Sequence, residues 1–207
     1  MLLKSVVYCN HMTDHGQCAE KTDEELVTLT LKDRELYACL IRRYEAPLAR
    51  YVRRISGYSD DDIADILQNA FISAYRNLNG FDPSLKFSSW LYRIVHNETI
   101  SQHRKRRARP QTVSVEENDN VFELLASEVD VARDADRAMT AMRIRAVLDA
   151  MDPKYREVLV LKYLEDKDYR EISDILQKPM GTIATLINRA KKQFRNKVED
   201  GPLSTIR

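Results

Sequence analysis

Residues Asp168 to Lys197 read DYREISDILQKPMGTIATLINRAKKQFRNK. Apolar positions Ile172, Ile175 and Leu176 recur at helical spacing. Pro179 breaks the pattern. A second periodic run begins near Thr182 and carries Ile183, Leu186 and Ile187. Two short amphipathic helices joined by a tight turn predict a helix-turn-helix, with the second helix ending in Arg189, Lys191, Lys192, Arg195 and Lys197. The plainer alternative is a helical hairpin with a solvated basic end.

Working towards the N-terminus, a second stretch carries chemistry. Phe81 to Arg109 reads FDPSLKFSSWLYRIVHNETISQHRKRRAR. Phe81, Phe87 and Trp90 stand at the mouth of a helix that ends in Arg104, Lys105, Arg106, Arg107 and Arg109. Rings can stack on unpaired bases, and a dense basic tract neutralises phosphates. Plain core rings on a solvated basic helix are the competing reading. Ser88 or Ser89 is expected to cap this helix. At 100° per residue, Trp90, Arg93, Asn97, Ser101 and Arg104 share one face, while Leu91, Ile94 and Val95 point to the core. His96 and His103 are expected to face solvent or DNA.

The rest of the chain is helical too. Thr22 and Glu25 form a capping box. Leu36, Leu40, Tyr44, Leu48, Tyr51, Val52 and Ile55 make an apolar stripe, which Pro47 should kink or split and Gly57 should end. Asp60 or Asp61 caps a helix whose apolar face is Ile63, Ile66, Leu67, Ala70, Phe71, Ala74 and Leu78. Met139, Met142, Ala146, Val147 and Ala150 form another stripe, and Asp152-Pro153 starts a further helix. With only five glycines and few alternating β-branched runs, strands are not expected.

The chain has 207 residues, 31% charged and 43% apolar, and a net charge of +1. The near-neutral total hides segregation. Between Glu116 and Asp136 eight acids face one base, Arg133. The predicted organisation is therefore a tail over 1–22, a helical domain over 23–109, an acidic flexible linker over 110–137, a helix-turn-helix domain over 138–198 and a tail over 199–207. The fold class is all-α.

Three cysteines and no secretory signal fit a reducing, cytoplasmic setting. No apolar run approaches a membrane span. Cys9, His11, His15 and Cys18 are zinc-type ligands at irregular spacing, a weak candidate site. Cys39 lies in the apolar stripe and is expected to be buried. No phosphate-binding loop or nucleophile elbow is present, so neither catalytic residues nor a cofactor is expected.

In this order, these segments resemble the sigma-70 superfamily, in particular its two-domain extracytoplasmic-function type. The resemblance covers about residues 23–109 and 138–198. It implies an RNA polymerase sigma factor, not itself an enzyme, that directs core polymerase to promoters and helps melt the minus-10 element. Asp65, Gln68, Asn69 and Phe71 match the helix that docks on the β′ clamp. Asn79, Phe81, Lys86 and Phe87 match the loop that captures a flipped base. Trp90, Arg93, Asn97, Arg104 and Lys105 match the helix along the non-template strand. Thr182, Thr185, Asn188, Arg189, Lys191 and Lys192 match the minus-35 reader. The implied partners are core polymerase through β′ clamp and β flap, promoter DNA and an anti-sigma protein.

The chain departs from the family pattern in places. Asn69 stands where the family usually has Glu, and Gln177 where the turn usually has Gly. Ala184, Thr185 and Leu186 occupy positions that often carry a basic residue, Ser and Arg. Base contacts then fall to Thr185, Asn188 and Arg189, or the domain relies on phosphate contacts. Other readings of the residues are a polymerase-independent DNA-binding regulator, a sigma-like decoy that only binds partners, and a metal-dependent enzyme built on the N-terminal cluster.

Overall fold

The computed structural model describes residues 18–108 and 135–200. Among the described residues the long helices of the N-terminal domain are α1 (Asp23–Thr30), α2 (Tyr37–Ser56), α3 (Asp60–Arg76) and α4 (Phe87–Ala108). The C-terminal domain has α5 (Ala135–Asp149), α6 (Pro153–Leu159), α7 (Tyr169–Leu176) and α8 (Met180–Asp200). A π-helical turn, Val160–Leu164, extends α6. Helix α5 begins within the span expected to be linker, and α8 runs two residues past the expected domain end. No strand occurs among the described residues.

Local chemistry sets most boundaries. Thr22 and Glu25 reciprocally bond each other's backbone amides, as the capping box requires. Asp168 and Glu171 do the same for α7. Asp152 caps α6 with Pro153 in its first turn. Gly57 ends α2 in the left-handed region, at φ 67°. Gln177 takes the same role after α7 at φ 52°, a conformation that costs a residue with a Cβ.

Four local expectations need correction. Pro47 does not split α2, which runs through it. The buried residues Tyr44, Leu48, Tyr51 and Val52 fall on both sides of the proline, so packing on both sides keeps the segment helical. Ser59, not Asp60 or Asp61, caps α3; its hydroxyl accepts from the Asp62 amide at 3.3 Å. Neither Ser88 nor Ser89 caps α4, which already starts at Phe87. The Phe87 amide instead donates to Glu24 Oε1 of α1 at 3.1 Å. The stripe on α5 is largely outward: Met139 and Met142 are exposed, and the buried residues are Val147 and Leu148.

The N-terminal core is built from Leu26, Leu40, Leu48, Tyr51, Ile66, Phe87 and Leu91, all essentially fully buried. Ile172, Ile175, Ile183 and Ile187 fill the C-terminal core and lock the helix-turn-helix. Cys39 is buried as expected. Contacts between α4 and α7, and between α2 and the π turn, pack the domains together. At the centre of that interface is Glu165, whose side chain is only 6% exposed. It accepts from Arg54 Nη1 at 2.6 Å and from the Tyr92 hydroxyl at 2.8 Å. Lys167 lies 4.5 Å from the centre of the Tyr92 ring. Among the described residues, no helix is long and apolar enough to cross a membrane.

Candidate polymerase and nucleic-acid interfaces

Helix α3 buries Ile63, Ile66, Leu67, Ala70, Phe71 and Ala74. Its other face leaves Asp65 and Asn69 exposed and Gln68 half-buried. Phe71 belongs to the core: it is 6% exposed, and its carbonyl accepts from the Tyr37 hydroxyl at 2.7 Å. Ile72 and Tyr75 are the large apolar residues on the outer face, both exposed. Neither residue is among the candidate contacts that the sequence pattern suggests. The same 3.6-residue period that marks the buried face points to them, since they follow Gln68 by four and seven residues. An exposed apolar pair thus stands beside polar residues on one helix face.

The segment after α3 turns through Leu78–Gly80, then through a turn in which Asp82 Oδ1 accepts from the Ser84 amide at 2.9 Å. Asn79, Leu85 and Lys86 are exposed at its rim. Phe81, Phe87 and Trp90 pack as a three-ring cluster with centroids 5.4–5.6 Å apart. Phe87 is fully buried and Phe81 nearly so, while Trp90 is partly accessible. Two rings therefore support the third. Along α4, Arg93 is half-buried, and Asn97, Arg104 and Lys105 are exposed. The buried counter-face is Leu91, Val95 and Thr99.

Two residues of this stretch have roles the sequence hid. His96 is buried, not facing solvent or DNA, and its Nδ1 is 3.0 Å from the Tyr51 hydroxyl. Burial, with a smaller contribution from Lys178, pushes its pKa down to about 4, so the ring is neutral. Arg106 pairs with Asp62 at 2.5 Å and lies 4.6 Å from the Tyr58 ring centre. It ties the end of α4 to the start of α3. His103 is exposed as expected.

On α8, Thr182, Thr185, Asn188, Arg189, Lys191 and Lys192 are all exposed, while Ile183, Ile187 and Ala190 are buried. The outer face of the helix-turn-helix thus presents hydroxyl, amide and cationic groups together. Lys191 sits over the Tyr163 ring at 5.6 Å. Behind this face, Ile144, Leu148, Leu159, Tyr163, Phe194 and Val198 line an apolar groove between α5, α6 and α8.

The zinc-type cluster takes another form. Cys18 is bonded to Cys39. Cys9, His11 and His15 lie outside the described residues. Among the described residues no group of three or more His, Cys, Asp or Glu side chains is placed to hold a metal. The acidic strip up to Asp134 also lies outside the described residues, as does Arg109.

Comparison with known proteins decides the family. The model of sigma-70 region 2 matches residues 40–109, and that of sigma-70 region 4 matches residues 141–194. The chain is 31% identical to the ECF RNA polymerase sigma factor SigW of Bacillus subtilis, over 81% of this chain and 91% of that protein. This chain belongs to the ECF group of the sigma-70 family. It is also 30% identical to the ECF sigma-E factor of Escherichia coli, over 86% of this chain and 95% of that one. Its function is that of an RNA polymerase sigma factor. The fold of this sigma factor is shared with CnrH, solved with the cytosolic domain of CnrY. The TM-score is 0.64 at 21% identity, over 87% of this chain and 99% of that one. It is shared also with the Bartonella quintana sigma factor RpoE, solved with the anti-sigma factor NepR. There the TM-score is 0.57 at 18% identity, over 77% of this chain and 94% of that one.

Proposed function

We propose that this sigma factor docks on core RNA polymerase through the outer face of α3, with Asp65, Gln68 and Asn69 as polar contacts and Ile72 and Tyr75 as apolar ones. Phe71 supports that face from beneath. The apolar groove of the C-terminal domain offers a second docking surface, suited to the β flap. The exposed face of α4 follows the non-template minus-10 strand: Trp90 stacks on an unpaired base, Arg93, Arg104 and Lys105 neutralise phosphates, and Asn97 reads a base edge. Asn79 and Lys86 line the approach to the ring cluster, and Phe81 and Phe87 brace Trp90. Stacking and capture of unpaired bases offset the few kcal/mol needed to unstack them. On α8, Thr182, Thr185, Asn188 and Arg189 face the minus-35 major groove, with Lys191 and Lys192 on phosphates.

An anti-sigma protein is the proposed regulator, supported by the Bartonella quintana sigma factor of this fold, solved with the anti-sigma factor NepR. The polymerase supplies all catalysis, and the polymerase-independent regulator reading is set aside.

The observation that carries the proposal is that both family segments place their polar and basic residues outward, on separate helices backed by complete cores. The test is transcription in vitro with core polymerase on a promoter library, comparing the wild type with Gln68→Ala and Trp90→Ala. New start sites that require the protein, with initiation reduced in both variants, are expected. Tight binding to core without initiation would identify a decoy, and no binding to core would refute the α3 docking face.

A further inference from the structure

Cys18 and Cys39 are 21 residues apart in sequence, yet their Cα atoms are 5.8 Å apart and the sulfurs are bonded. The pair differs in access: Cys39 is buried in α2, while Cys18 is only partly buried. The surroundings hold Cys18 in place without the bond. Arg43 Nη2 donates to the Cys18 carbonyl at 2.7 Å and to the Lys21 carbonyl at 3.0 Å. Its Nη1 pairs with Asp23, which the Tyr44 hydroxyl also contacts. A second guanidinium, Arg42, lies 3.9 Å from Cys39 Sγ. One sulfur is reachable, the second lies buried beside it, and the two stand at bonding distance. In a thiol-reducing compartment such a pair is transient and signalling rather than structural.

The segment that the bond anchors leads directly into the DNA-facing stretch. Cys18 precedes α1, and α1 supplies Glu24, whose carboxylate accepts from the Phe87 amide and so caps α4. Phe87 in turn supports Trp90. Nothing in polymerase or promoter binding uses these two cysteines.

We propose that Cys18 and Cys39 form a reversible oxidation site for hydroperoxides, and that its state sets how firmly α1 caps the minus-10 helix. The Cys18 thiolate attacks a peroxide oxygen and the O–O bond breaks, giving a sulfenic acid and hydroxide. Cys39 then attacks the Cys18 sulfur, the S–S bond forms and a second hydroxide leaves. With the two thiol protons, the products of one hydrogen peroxide are one disulfide and two waters. Sulfur loses the two electrons that the peroxide gains, and a dithiol reverses the change. The bond removes open states in which α1 and its Glu24 leave α2 and α4.

The test uses the full chain with Cys9→Ser, reduced and then treated with hydrogen peroxide. Alkylation followed by intact mass is expected to show both thiols consumed. Amide exchange across residues 23–30 and at Phe87 is expected to slow roughly tenfold on oxidation. Cys18→Ser in the same background, a substitution at the partly accessible sulfur, should lose both effects. Two thiols that still alkylate after peroxide would overturn the oxidation site. A disulfide that forms and leaves exchange unchanged would overturn its link to the α4 cap.

Discussion

Lys86 Nζ lies 3.1 Å from Glu171 Oε1, so a base at the rim of the proposed minus-10 loop is held by the capping glutamate of the first helix of the helix-turn-helix. The Glu171 side chain, 12% exposed, is the more buried partner, and Lys86 is 64% exposed. The same glutamate closes the α7 capping box through Oε2. In this arrangement the two domains touch, and one proposed DNA contact is occupied. Engagement of DNA by Lys86 exchanges a carboxylate for a phosphate.

Glu171→Gln should release Lys86 and leave the α7 cap, because glutamine also serves in a capping box. A pair this exposed contributes at most about 1 kcal/mol, so the stability of each domain should barely change. The expected outcome is weaker domain contact, read as a longer mean distance between spectroscopic labels on α4 and α7. An unchanged distance distribution would show that Lys86–Glu171 does not hold the domains.

Glu165→Ala should act more strongly at the same interface. It removes the acceptor of both Arg54 and Tyr92 at a nearly buried position. Losing one partner of a buried ion pair typically costs about 3–5 kcal/mol. Here the domains can part and let Arg54 reach water, so the loss cannot exceed the docking free energy. Small-angle scattering should show a larger radius of gyration, with the helical content unchanged.

His96 makes stability depend on pH. Its folded pKa, near 4 because of burial, lies below the ordinary 6.5. The unfolded chain therefore binds more protons between these values, and stability falls as pH drops through that window. Above about pH 7 there is no effect; at pH 5 the loss is about 2 kcal/mol. Urea unfolding at pH 7 and pH 5 measures it. His96→Gln should be less stable at pH 7 yet lose most of this slope.

Gln177→Gly should stabilise the C-terminal domain. Gln177 adopts φ 52° as the C-cap of α7, where glycine has no Cβ to strain. A gain of about 1 kcal/mol is expected, read as a higher midpoint in thermal unfolding. No gain would mean that the Gln177 amide, which donates to the Asp174 carbonyl at 2.6 Å, offsets the strain.

On α8, Arg189→Ala should cost about 1–3 kcal/mol on a minus-35 duplex and relax base preference. Lys192→Ala should weaken binding evenly across sequences and lower the salt slope by about 1. Fluorescence titrations of holoenzyme on duplexes at several salt concentrations separate the two. Equal effects on all sequences from both variants would assign Arg189 to phosphate.

Features that depend on neighbours three or four residues away were legible in the chain alone. Thr22 with Glu25, Asp152 with Pro153, and Gly57 each act through bonds to nearby amides or through their own φ. The outward faces of α4 and α8 followed from the helical period. Tertiary structure alone decided the rest. His96 meets Tyr51 across 45 positions, Arg106 meets Asp62 across 44, and Glu24 reaches Phe87 across 63. No local period signals those partners. Pro47 stays helical because residues on both sides of it are buried, and the α5 methionines stay exposed because Val147 and Leu148 take the packing positions. Cys18 pairs with Cys39 because α1 lies against α2. Short-range hydrogen bonding and helical period are written into adjacent residues; burial and pairing at a distance arise only once the helices pack.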